Sequence, residues 1–231
     1  MEPAASPNQG FTQPAPTELS VPEPVAPPRQ PQDEVLAYRL ITNYYIDDGS
    51  HNFEPARRNI LQHLDRLRAA YPDLKELAGK RILDVACGSR VYGGNNVEEA
   101  GGSSTLRFDP WMPRLLISLG AHPIGIDLCR QINERFECLE IDLTKKDALA
   151  VLPTGSFDAF YISGFPTTPA IQQFLATGRT WPEVRDDILS HLHRSLKEDG
   201  KIIRPFTVTT ERFVQGHLDK YKGLTCKDDD L

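Results

Sequence analysis

Residues 81–88 read RILDVACG, and this stretch decides the fold. Ile82, Leu83, Val85, Ala86 and Cys87 make a short apolar run that stops on Gly88. A run of this length closed by glycine reads as a buried strand. Outward from it, residues 122–128 (HPIGIDL), 138–142 (CLEID), 157–163 (FDAFYIS) and 201–208 (KIIRPFTV) read the same way. Helical patterns lie between them. Residues 110–119 predict a helix that Asp109 can cap, with Pro110 at its first position and Gly120 ending it. Residues 181–197 set Val184, Ile188, Leu189, Leu192 and Leu196 in one stripe, with a capping box from Thr180 to Glu183 and Gly200 as the stop. Strands that alternate with helices predict an α/β protein with a doubly wound, mostly parallel sheet.

Upstream, residues 34–45 carry Leu36, Leu40, Ile41, Tyr44 and Tyr45 at helical spacing. Residues 56–70 put Ile60, Leu61, Leu64 and Leu67 on one face, and Pro72 follows. The expected organisation is one domain over residues 34–231, with N-terminal helices at 34–70 and a core at 80–208. Residues 1–33 read as a proline-rich tail. Nine of the 19 prolines fall in residues 1–32, with no apolar stripe to offset the entropy of ordering, so this tail is expected to be disordered.

The net charge of −6 argues against a nucleic-acid partner, which usually meets a basic face. No stretch reaches the ~18 apolar residues of a membrane span, and the start lacks the basic-then-apolar pattern of a secretory signal. Cys87, Cys129, Cys138 and Cys226 form no CxxC pair. Reduced thiols and a cytoplasmic location are therefore expected. No metal site is expected either: His191 and His193 are two apart on a helix and point to different sides.

In an open parallel sheet, ligands bind outside the carboxyl ends of the strands. Three predicted strands finish there on glycine or an acid: Gly88, Asp127 and Asp142. Glycine lets a ligand approach the backbone. An acid ending the second strand can accept from both ribose hydroxyls, and one after the third can accept from an adenine amino group. The set suits a nucleoside.

These residues resemble class I S-adenosylmethionine-dependent methyltransferases. Asp84-Val85-Ala86-Cys87-Gly88 is similar to their first motif, D-x-G-x-G-x-G. Ile126-Asp127-Leu128 and Asp142-Leu143 resemble the acids that follow strands two and three. Phe157-Asp158-Ala159 resembles the start of strand four, and Leu196 to Ile203 the turn into strand five. The resemblance covers residues 55–208 and implies a Rossmann-like methyltransferase fold with S-adenosyl-L-methionine as cofactor. It places Gly88 beneath the methionine portion with Asp84 orienting its amino group, Asp127 at the ribose, Asp142 and Leu143 at adenine, and Ser163 near the reacting methyl, with Ala86 and Leu128 also among the cofactor-binding residues. The first motif glycine is Ala86 here and the last is Arg90. Gly88 and Asp127 stand 39 positions apart, where about 20 is usual. The excess, residues 89–109, is expected to be a loop at the mouth of the site. About 23 residues follow strand five. That is short for the antiparallel pair the family usually adds, so part of the pair is expected to be missing.

Methyl transfer to a small molecule is the function this implies, with a protein acceptor left open. No residue stands out as a catalytic base. Two other readings stay open: a non-catalytic cofactor-binding or interaction protein on the same fold, and a nicotinamide-dependent oxidoreductase. The second lacks its G-x-G-x-x-G turn, since residues 86–94 read ACGSRVYGG.

Overall fold

The computed structural model describes residues 30–45, 53–88, 109–128, 131, 133–163 and 177–204. Most of the proline-rich tail, nearly all of the 89–109 loop with Arg90, and everything after Arg204 lie outside the described residues. The expected incompleteness of the last strand pair falls there too.

Five strands build one sheet: β1 (Arg81–Val85), β2 (His122–Asp127), β3 (Glu137–Glu140), β4 (Phe157–Ile162) and β5 (Leu196–Arg204). Their order is β3-β2-β1-β4-β5, and every neighbouring pair is parallel. This is the expected doubly wound, Rossmann-like arrangement. The chain steps outward from β1 through β2 to β3, then returns to the other side of β1 as β4. The boundary between β1 and β4 is thus the switch point where such sheets open a crevice.

Strand periodicity of two divides the core into two layers. Leu83, Val85, Ile124, Ile126, Phe160 and Ile162 share one face and pack with Val184, Ile188 and Leu192 of helix α4 (Trp181–Ser195). Ile82, Ala159 and Tyr161 share the other. That face packs on α1 (Pro31–Tyr45), α2 (Phe53–Ala70) and α3 (Trp111–Ser118). Each large apolar side chain fully buried here contributes about 1.5–3 kcal/mol. Gly125 of β2 lies opposite Asp84 and Cys138 in the register. A Cβ on it would come within 2.7 Å of Cys87 Sγ and 2.9 Å of Phe136 Cε2.

Several boundaries differ from the sequence reading. Helix α1 begins at Pro31, so the expected tail ends sooner than residue 33. Asp33 is buried, accepts from the Gln30 amide at 3.0 Å and pairs with Arg68 of α2, which fixes that first turn. Asp109 does not cap α3. No side-chain cap bond is present, and its carboxylate faces Arg114 instead. The helix does end as expected, on Gly120 at φ +80°. Strand β3 is shifted, starting at Glu137 and stopping at Glu140, so Asp142 stands two residues past it. Helix α4 starts on its expected cap: the Glu183 carboxylate accepts from the Thr180 amide and hydroxyl, both at 2.7 Å. It ends at Ser195 rather than 197, with Gly200 inside the next element. Leu196 already pairs with Phe157, but Lys201 pairs with Ala159. The intervening Lys197–Gly200 is therefore a bulge at the mouth of β5, at the place of the expected turn.

Candidate functional site

All strands run in parallel, so Gly88, Asp127, Asp142 and Ser163 lie at one edge of the sheet. The chain leaves β1 through a tight turn. Ala86 takes φ +54° and Gly88 φ +90°, both left-handed. Gly88 meets this without strain, while alanine at φ > 0 costs about 1–2 kcal/mol. Ala86 thus holds a glycine-type conformation at the position of the first motif glycine.

Three hydrogen bonds shape the edge. The Gly88 N–H donates to Asp127 Oδ2 at 2.9 Å, drawing the β1 turn over β2. At the switch point, the Ser163 hydroxyl donates to Asp84 Oδ1 at 2.7 Å, and the Ser163 N–H to the Val85 carbonyl at 2.9 Å. The turn is fixed further by the Cys87 N–H on the Ile126 carbonyl (3.0 Å) and by Gln131 Nε2 donating to the Gly88 carbonyl (2.5 Å). Asp84 is fully buried and Asp127 is 8% exposed, so both carboxylates act in a low-dielectric setting.

Asp142 belongs to the same edge but not to this bonded set. It accepts from the Thr144 amide (3.0 Å) and hydroxyl (2.6 Å), which order the turn after β3. The Ile141 N–H bonds the Asp127 carbonyl at 2.9 Å, so the two acidic turns are tied by their backbones. Leu143 is buried in the core, and Leu128 and Ala86 pack against that core while partly exposed. Cys87 and Cys138 are free thiols, and Cys87 Sγ donates to the Gly88 carbonyl at 3.4 Å. The neighbouring Cys138 thiol, followed by burial, raises Cys87 well above the usual thiol range, and the proximity of Cys87 lowers Cys138. With Asp84 and Asp127 beside it, Cys87 is the reverse of the electropositive setting an active thiolate needs.

Two further clusters are brought together only by the fold. Arg114 of α3 is fully buried between Glu134, bonded at 2.5 Å, and Asp109 at 3.6 Å. Its guanidinium stacks on Tyr44 (4.0 Å) and Trp111 (4.8 Å). Burial pushes the Asp109 carboxyl up to about 7, against the pull of Arg114. Tyr44 is partly buried against the core on this side of the sheet. The second cluster joins the turn after β3 to α4. Asp147, Asp187 and His191 present ligand-type atoms within 4.8 Å of one another. Asp187 and His191 are four apart on α4, a spacing the sequence displays, but Asp147 lies 40 residues away from Asp187 and nothing in the sequence brings it there.

No protein-family model and no curated protein matches the chain. Solved structures similar to this chain at low identity include two methyltransferases. One is a Burkholderia thailandensis 1,6-didemethyltoxoflavin-N1-methyltransferase with 1,6-didemethyltoxoflavin and S-adenosylhomocysteine bound. It is 16% identical over 77% of this chain and 64% of its own, with a TM-score of 0.29. This chain therefore spans less than two thirds of that protein. The other is the Synechocystis PCC 6803 magnesium protoporphyrin IX methyltransferase with SAM bound. It is 14% identical over 80% of this chain and 85% of its own, with a TM-score of 0.36. Among the described residues, no helix is long and apolar enough to cross a membrane.

Proposed function

We propose that this protein binds S-adenosyl-L-methionine at the carboxyl edge of its sheet and transfers the methyl group to a small-molecule acceptor. The observation that carries the reading is the Gly88–Asp127 clamp beside the Asp84–Ser163 pair at the switch point. The residues fit the group. Gly88 has no side chain to block a ligand lying on the turn. A carboxylate has about four acceptor positions, so accepting the Gly88 N–H does not itself bar Asp127 from accepting a ribose hydroxyl. Asp142 is the acceptor for the adenine end. Leu143 would contribute through its backbone, because its side chain lies in the core.

When bound, the cofactor supplies an activated methyl on a sulfonium with a good leaving group. The chain has to align the acceptor and exclude water. Asp84, fixed by Ser163, orients the methionine end, and Ser163 stands where β4 opens towards the acceptor. The negative net charge supports a small-molecule acceptor over a nucleic acid. Calorimetric titration of the full chain with S-adenosylhomocysteine tests the reading, with one-to-one binding expected. No binding would leave the fold as an interaction module. Binding without turnover on any acceptor tried would support a non-catalytic cofactor-binding protein.

A further inference from the structure

We infer that Asp147, Asp187 and His191 form a binding site for a divalent transition-metal ion of the zinc type, one that clips the turn after β3 to α4. His191 Nε2 lies 3.3 Å from Asp147 Oδ1 and 3.4 Å from Asp187 Oδ1. An ion held tetrahedrally at about 2.0–2.1 Å has ligand atoms about 3.3–3.4 Å apart. Both separations from the imidazole nitrogen match those between ligands of a tetrahedral ion, and all three ligand atoms lie within 4.8 Å of one another. One imidazole nitrogen and two carboxylate oxygens make a mixed donor set that suits zinc, and a water would complete the four. Asp187 and His191 stand one turn apart on one helix face, so they converge on a single point.

The side chains around the trio are already ordered. Asp187 uses its other oxygen, Oδ2, to accept from the Asp147 amide at 2.9 Å and from Arg179 at 3.2 Å. This leaves Oδ1 turned towards His191. Arg179 also donates to the Thr144 carbonyl at 2.9 Å, and Thr144 in turn holds Asp142. Carboxylate ligands held by outer hydrogen bonds are typical of built metal sites. An ion here would join two crossover connections of the sheet and steady the turn that carries Asp142. The site does not rest on the methyl-transfer reading, and its test involves no nucleoside.

The full metal-free chain is titrated with zinc chloride by calorimetry, and its thermal unfolding is followed with and without zinc. One-to-one binding and a raised Tm are expected. His191→Ala and Asp147→Asn should each weaken binding by about tenfold or more. The Asp147 side chain is 60% exposed but that of His191 only 15%, so the effect of zinc on each variant is read against that variant's own metal-free Tm, and Cys138→Ser should bind zinc as the parent does. Cobalt added in place of zinc should give the visible absorption of a tetrahedral centre, lost in His191→Ala. Absence of one-to-one binding would overturn the proposal and leave the trio as a hydrogen-bonded ion pair. Binding that survives both ligand variants, or that is lost in Cys138→Ser, would place the ion elsewhere and overturn it equally.

Discussion

Replacing Asp127 by alanine separates two roles that one carboxylate holds. The first is structural. Its Oδ2 accepts the Gly88 N–H at 2.9 Å in an 8% exposed setting. Hydrogen bonds to charged groups contribute about 1.5–3 kcal/mol. In a domain of this size each kcal/mol moves Tm by about 2–4 °C, so Asp127→Ala should melt roughly 3–12 °C lower. The second role is binding. Bonds of the same kind to ribose hydroxyls predict S-adenosylhomocysteine held about tenfold to a hundredfold more weakly. Asp127→Asn divides the two. Its amide oxygen can still accept from Gly88, so most of the Tm should return. Its NH₂ group cannot accept a ribose hydroxyl, so binding should stay below that of the parent. Differential scanning fluorimetry and calorimetry on the three proteins read both quantities. An Asp127→Ala variant that melts and binds like the parent would refute both roles. A variant that only melts early would confine Asp127 to holding the turn.

Three further outcomes are expected. Ser163→Ala removes the hydroxyl that donates to buried Asp84, and urea unfolding should show a loss of about 1.5–3 kcal/mol. Asp33→Ala leaves Arg68 buried beside α1 without that partner and should cost about 3–5 kcal/mol, whereas the double change Asp33→Leu with Arg68→Met should recover much of it. The third concerns pH. Burial raises Asp109 from 3.8 to about 7, so between those values the folded state keeps a proton that the unfolded chain releases. Stability from this group is therefore full below about pH 4 and lost as pH rises through about 7. Asp109→Asn should abolish that part of the decline when denaturation curves at about pH 5 and about pH 8 are compared, and an unchanged slope would count against it.

The central strands were legible because β1, β2 and β4 are buried on both faces, and their apolar runs stop where the chain meets the edge. The acids at those stops, Asp127 above all, could be named for the same reason. Strand β3 was read a residue late because it is an outer strand of the described sheet. Glu137 and Glu140 are exposed and Cys138 and Leu139 only partly buried, so the apolar run there underestimates the pairing. The end of α4 was missed because Leu196 continues the helical stripe, yet it is also the first residue to pair with β4. Propensity cannot choose between those two burials; the neighbouring strand does. Asp109 looks like a helix cap in one dimension. Only the approach of Arg114 and Glu134, 5 and 25 residues further on, converts it to a buried charge partner. The trio around His191 is hidden in the same way: Asp187 and His191 stand at helical spacing, but Asp147 comes from a turn 40 residues before Asp187.

Gly125 carries a constraint of another kind. Its backbone is that of an ordinary strand residue, so torsion does not demand glycine here; space does. The Cys87 sulfur occupies the volume in which a β-carbon would lie, at 2.7 Å where 3.4 Å or more is ordinary contact. Cys87 immediately precedes Gly88, so any side chain gained at 125 would be felt at the bond from Gly88 to Asp127. The two positions are therefore not free to drift separately. In a lineage of such sequences, a larger residue at 125 would have to arrive with a smaller one at 87 and a displaced or smaller ring at 136, so the three would change together though none need touch a ligand.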